Sequence, residues 1–144
     1  PDKLKVWGFW NIFGEEYFGT EEEEVRPWFY AWSLLTRYMP AGSRAYKVEV
    51  EGDKSLKAIA VEKDGKYMIA VVNVSREEKS VLLKSTSLPV LKGVKKYLNA
   101  EGQLQKEGDC RLLPHRQGVT LCPAKGEAFQ MPGESLVVYT NFDY

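Results

Sequence analysis

LKAIAVEKDGKYMIAVVNV, residues 56–74, decides the class of fold. Asp64-Gly65 is a two-residue hairpin signal, because the turn that joins twisted antiparallel strands needs positive φ, which this dipeptide tolerates. Residues 56–62 and 67–74 are then the strands it joins. The second of them is apolar on both faces apart from Asn73, which predicts a central strand covered on both sides.

Upstream of the hairpin, Tyr46, Val48 and Val50 alternate with Lys47, Glu49 and Glu51, the pattern of a half-buried strand. Downstream, strands are predicted at 81–84, 94–99, 118–122, 127–131 and 135–141. Turn signals separate them at Leu88-Pro89, Glu101-Gly102, Gly108-Asp109, Pro123 to Gly126 and Pro132-Gly133. Short strands with turns at this spacing indicate a sandwich or a barrel, and the preferred reading is an antiparallel β-sandwich of seven or eight strands.

The first 42 residues read differently. All four tryptophans (Trp7, Trp10, Trp28 and Trp32) lie there, and the composition shifts near 40–43, dividing the chain into 1–42 and 43–144. LKVWGFW, residues 4–10, suits a strand buried on both faces, as in a parallel barrel. A loop over 11–24 follows. Thr20 with Glu23 has the form of a capping box, and Pro27 suits a first helical position. The acidic run 21–24 reads either as a complement to the helix dipole or as a solvated loop. Trp28, Trp32, Leu35 and Met39 then recur at helical spacing, which places Trp28 and Trp32 in the core, and Pro40 and Gly42 end the helix.

Composition narrows the function. Twenty basic and twenty acidic residues cancel among 144, so no long-range field draws the chain to nucleic acid or anionic lipid. The longest apolar run, 68–72, is far short of a bilayer span. Neither nucleic acid nor membrane is an expected partner. His115 is the only histidine, and Cys110 and Cys122 are the only cysteines. That is too few ligands for a structural zinc and gives no Ser-His-Asp arrangement, so no metal or cofactor is expected. The two cysteines read equally as a disulfide or as buried thiols. Abundant Lys and Glu fit a thermophilic source. A start at Pro1 without methionine suggests a processed product or a fragment.

Three motifs, in order along the chain, carry a resemblance. Trp7-Gly8-Phe9-Trp10-Asn11-Ile12-Phe13, with Glu15-Glu16, resembles the eighth strand and loop of clan A glycoside hydrolases, particularly the β-xylosidase and α-iduronidase family. Residues 26–35, RPWFYAWSLL, resemble their final barrel helix. MPGESLVVY, 131–139, resembles the last strand of their C-terminal sandwiches. Asn11 stands where the family pattern has Asp, Gly14 is inserted before the Glu pair, and 85–126 matches no pattern.

The resemblance implies a mainly β chain: one strand and one helix completing a (β/α)₈ barrel, then the antiparallel β-sandwich. In that clan the acid/base comes from the fourth barrel strand and the nucleophile from the seventh. Both would lie upstream, so the chain holds no catalytic carboxylate of its own and is expected to be inactive alone. Glu15 and Glu16 are adjacent and point in opposite directions, a poor arrangement for flanking one bond. Substrate contacts are expected from Trp7, Asn11, Glu15 and Glu16. Trp7 reads equally as a sugar platform or a core residue, since sugar C–H faces pack on aromatic planes within otherwise polar sites. The implied partners are a carbohydrate substrate and the remainder of the barrel, as a separate or cleaved chain, with self-association as the fallback. Two other readings stand beside this one: a stand-alone carbohydrate-binding sandwich using Tyr46, Tyr67, Tyr97 or Tyr139, and a purely structural domain.

Overall fold

The computed structural model of the chain describes residues 27–108 and 111–144. The strand and loop expected over 4–24, and Cys110, lie outside the described residues. One helix, α1 (Pro27–Tyr38), precedes ten strands: β1 (Arg44–Tyr46), β2 (Leu56–Lys63), β3 (Lys66–Asn73), β4 (Lys79–Leu83), β5 (Leu91–Asn99), β6 (Lys106–Glu107), β7 (Arg111–Leu112), β8 (Arg116–Leu121), β9 (Glu127–Met131) and β10 (Ser135–Thr140). Six of them form an antiparallel sheet in the order β1-β2-β3-β10-β5-β8, while β4 pairs with β9 and β6 with β7. The chain is a mainly β, antiparallel sandwich. Setting aside the two-residue β6 and β7, which no sequence pattern announced, eight described strands remain.

The hairpin closes as its residues demand. Asp64 and Gly65 have φ of 52° and 75°, and Glu62 Oε1 accepts the Gly65 N–H at 2.9 Å. A Cβ at Gly65 would meet nothing within 4 Å, so only the backbone angle resists substitution there. Gly65→Val is therefore expected to cost about 1 kcal/mol or more. Urea unfolding should show a lower midpoint with an unchanged slope. A wild-type midpoint would mean that the turn does not depend on the left-handed conformation.

Strand alternation builds a core on each side of the large sheet. In β3, Met68 and Ala70 point one way and Ile69 and Val71 the other; in β10, Leu136 and Val138 oppose Val137 and Tyr139, and all eight are buried. The first set packs against Tyr30, Leu34 and Tyr38 of α1. The second meets Phe129 and Met131 of β9, with Val81 and Leu83 of β4 beside them. The order of layers is helix, six-stranded sheet, two-stranded sheet. This is why residues 68–72 are apolar without alternation.

Two expectations need correction. Tyr30, Leu34 and Tyr38 are the residues of α1 that enter the core, whereas Trp32 is 44% exposed and Met39 37%. At 3.6 residues per turn, 30/34/38 and 32/35/39 are both regular stripes on different sides of the helix, so periodicity alone could not choose between them. The side chain of Trp28 lies outside the described ones. The strand expected from Tyr46 to Val50 is present only as β1, which pairs with β2 over Arg44–Tyr46. Residues 47–51 join no sheet, and of their two valines Val48 is half-buried while Val50 is exposed.

The chain leaves the large sheet for the small one through 74–78 and comes back through 132–134, and these crossings touch. Asn73, fully buried, donates to the carbonyls of Glu77 at 2.8 Å and Pro132 at 3.0 Å. Its Oδ1 accepts from the Ser75 N–H and hydroxyl, and the Glu134 N–H donates to Ser75 O at 2.7 Å.

Candidate functional site

The residues expected to contact substrate (Trp7, Asn11, Glu15 and Glu16) lie outside the described residues. What the structure does place is the remaining chemistry. His115, just before β8, donates its Nε2–H to the Gln103 carbonyl at 2.8 Å, and its backbone N–H bonds Lys96 O. The only histidine thus ties two loops to β5. Cys122, half-buried after β8, is a free thiol. Among the described residues, no group of three His, Cys, Asp or Glu is placed to hold a metal, and no helix is long and apolar enough to cross a membrane.

Of the four tyrosines considered as sugar platforms, Tyr97 and Tyr139 are buried in the two cores. Burial pushes both phenols well above their ordinary range, with the Tyr38 hydroxyl adding to the effect at Tyr97. Neither ring can meet a ligand. Tyr46 and Tyr67 are half-buried, and Tyr46 carries the Arg44 guanidinium 5.4 Å above its ring.

Tyr46 stands at the end of a groove. Two adjoining cavities, of about 300 and 470 Å³, run beside residues 47–51 and share Val48, Glu49, Glu51, Leu83 and Lys84 as walls. The floor comes from the large sheet: Ala60 and Ile69 under the first cavity, Leu56, Ala58 and Val71 under the second. Val50 and Leu82 form an apolar lip, 40% and 64% exposed. The groove exists because the two-stranded sheet is too narrow to cover the six-stranded one. On one side, β4 pairs with β9 alone among the described strands. On the other, the backbone of 47–51 makes no hydrogen bond to another backbone group among the described residues. Sequence reasoning missed this site because its walls come from segments about thirty residues apart on separate layers. The strand-like alternation of 47–51 was its one local signal.

Asp53 anchors this wall. Its Oδ1 accepts from the Ser55 N–H at 2.8 Å and the Ser55 hydroxyl at 2.6 Å, and its other oxygen pairs with Lys79 of β4 at 3.1 Å. The Ser55 hydrogen bonds, helped by Lys79, lower its pKa to about 2. A carboxyl depressed on folding contributes stability above its unfolded pKa, and that contribution is lost as pH falls through the folded value. Wild type should therefore be more stable than Asp53→Asn at neutral pH, and the gap should close between about pH 4 and pH 2. Urea midpoints across that range read the difference. A gap that persists at pH 2 would mean that the ionised carboxylate is not what anchors the loop.

No protein-family model and no curated protein matches the chain. Solved structures do. A GH30 endoxylanase from Clostridium papyrosolvens C71 superposes with a TM-score of 0.62 at 11% identity, over 81% of this chain and 28% of its own. The glycoside hydrolase family 30 subfamily 8 xylanase Xyn30A from Clostridium acetobutylicum gives 0.64 at 11% identity, over 85% of this chain and 29% of its own. The likeness is one of fold: this chain has an architecture found within GH30 xylanases, which are clan A glycoside hydrolases. The clan is the one that the sequence motifs resemble. The chain spans under a third of the length of these enzymes.

Proposed function

We propose that the chain is the C-terminal portion of a glycoside hydrolase, in which 1–42 completes a (β/α)₈ barrel and 43–144 braces it. The observation that carries this reading is the fold, which matches part of the larger GH30 xylanases. One side of α1 is held in the core of the sandwich, while Trp32 and Met39 present an apolar surface on another side. Met39, 37% exposed just past the end of α1, is an apolar side chain suited to burial against a neighbour. The larger size of the GH30 enzymes that share the fold supports a barrel as the occupant. Catalytic carboxylates then come from the barrel, with Trp7, Asn11, Glu15 and Glu16 contributing to its substrate wall. The remainder of the barrel is the neighbour of 1–42 in this reading, and self-association is the alternative.

Because the structural neighbours are xylanases, xylan and aryl xylosides are the first substrates to test. Alone, the chain is expected to hydrolyse none of them. Turnover by the chain alone that disappears in Glu15→Gln or Glu16→Gln would overturn the reading. Joined to or mixed with the remainder of its barrel, the chain should support turnover, and Met39→Glu should weaken that support without lowering the chain's own melting temperature.

A further inference from the structure

The groove between 47–51 and β4 has the attributes of a ligand site, and its chemistry restricts the ligand. Each of its two cavities has a volume at the low end of the ~300–1,000 Å³ typical of small-molecule clefts. They adjoin along a common wall, so the combined space is elongated and suits a chain-like ligand. The floor is aliphatic and the rim is polar. Lys47 and Lys84 are balanced by Glu49 and Glu51, and Lys47 lies 3.2 Å from Glu49, so that pair neutralises itself. A rim without net charge selects against phosphates, uronates and cationic peptides.

Both walls present backbone groups without backbone partners among the described residues. The ligand must therefore donate and accept along its length. Hydroxyl groups do both, and vicinal hydroxyls also suit the carboxylates of Glu49 and Glu51. A second extended polypeptide would meet the same backbone groups, but charged side chains along an exposed strand edge oppose such pairing. Lys47, Glu49, Glu51 and Lys79 are placed in that way.

We infer that this groove binds a neutral oligosaccharide, its C–H faces on the part-exposed Val48, Ala58, Leu82 and Leu83 and its hydroxyls on Glu49, Glu51 and the backbone edges. The choice of sugar rests on the glycoside hydrolase reading above. In that setting the sandwich holds a stretch of polysaccharide away from the barrel's active site.

The test is titration of the ¹⁵N-labelled chain with xylohexaose, maltohexaose, hexagalacturonate and an uncharged extended hexapeptide. Saturable shifts of the amides at 47–51 and 80–85 are expected with at least one neutral hexasaccharide and not with hexagalacturonate. Glu51→Ala should weaken that binding about tenfold or more, the loss of a hydrogen bond to a charged acceptor, while the melting temperature holds. Absence of saturable shifts with both neutral sugars would overturn the inference. So would a response to the peptide or the uronate instead, or binding that Glu51→Ala leaves unchanged. The titration reads the chain alone, so a negative result removes the groove and leaves the barrel reading standing. Sugar binding without restored turnover on adding the barrel does the reverse.

Discussion

Gly133→Ala is expected to lower the melting temperature by about 10 °C or more, the largest effect of any single methyl in the described structure. A Cβ at Gly133 would collide with the backbone carbonyl of Arg76 and approach its Cα to 2.8 Å. No rotamer change relieves a clash with main chain, so one crossing must move away from the other. That movement breaks the Glu134-to-Ser75 hydrogen bond and pulls Pro132 O from the buried amide of Asn73. Leaving the buried Asn73 amide short of a partner costs about 1–3 kcal/mol, and the lost backbone bond adds about 1 kcal/mol. The sum is about 3 kcal/mol, a large loss for a point substitution. Asn73→Ala attacks the same junction from the other side, so the double variant should lose less than the sum of the two. A Gly133→Ala protein that melts with wild type would show that the crossings can part freely.

What could be read from the sequence follows the range of the interactions involved. The 62–67 hairpin depends on two adjacent residues and was read correctly, as was β9 to the residue and β10 to within one. The double-sided burial of β3 was visible because a strand covered on both faces must abandon alternation. The partner of each strand was not. β3 lies beside β10, more than sixty residues downstream, and only the sheet order reveals it. Nor could the sequence state which stripe of α1 faces the sandwich, since Tyr30, Leu34 and Tyr38 repeat as regularly as the tryptophan stripe.

The same division applies to function. The motifs that point to a glycoside hydrolase are local strings, and the fold shared with GH30 xylanases agrees with their clan. The groove beside 47–51 is a product of layering: a narrow sheet over a wide one. Lys47, Glu49 and Glu51 read as the solvent side of a strand when taken in order. They become a rim only when β4 stands opposite.

Tyr38→Ala is expected to have the next largest effect, and it tests whether α1 belongs to the sandwich or only leans on it. Tyr38 is 1% exposed, at the last turn of the helix. Its hydroxyl meets that of Tyr97 on β5 at 2.7 Å. Its ring stacks on Phe142 and Tyr144 with centroids 6.5 and 6.3 Å away. Lys95 lies over the same ring at 5.9 Å and donates to the Phe142 carbonyl at 2.9 Å. One side chain therefore joins the helix, a central strand and the final residues of the chain. Truncating a buried aromatic costs about 3–5 kcal/mol, and a single cooperative transition should shift down by about 10 °C or more. Tyr38→Phe keeps the ring but leaves the buried Tyr97 hydroxyl without this partner, so it should cost about 1–3 kcal/mol. If Tyr38→Ala instead leaves the main transition in place and only melts out helical signal, α1 is an independent unit. The sandwich would then brace no barrel through it. A coordinated loss of both means that force on the outer face of α1 is felt at β5 and at the last strand, as a brace requires.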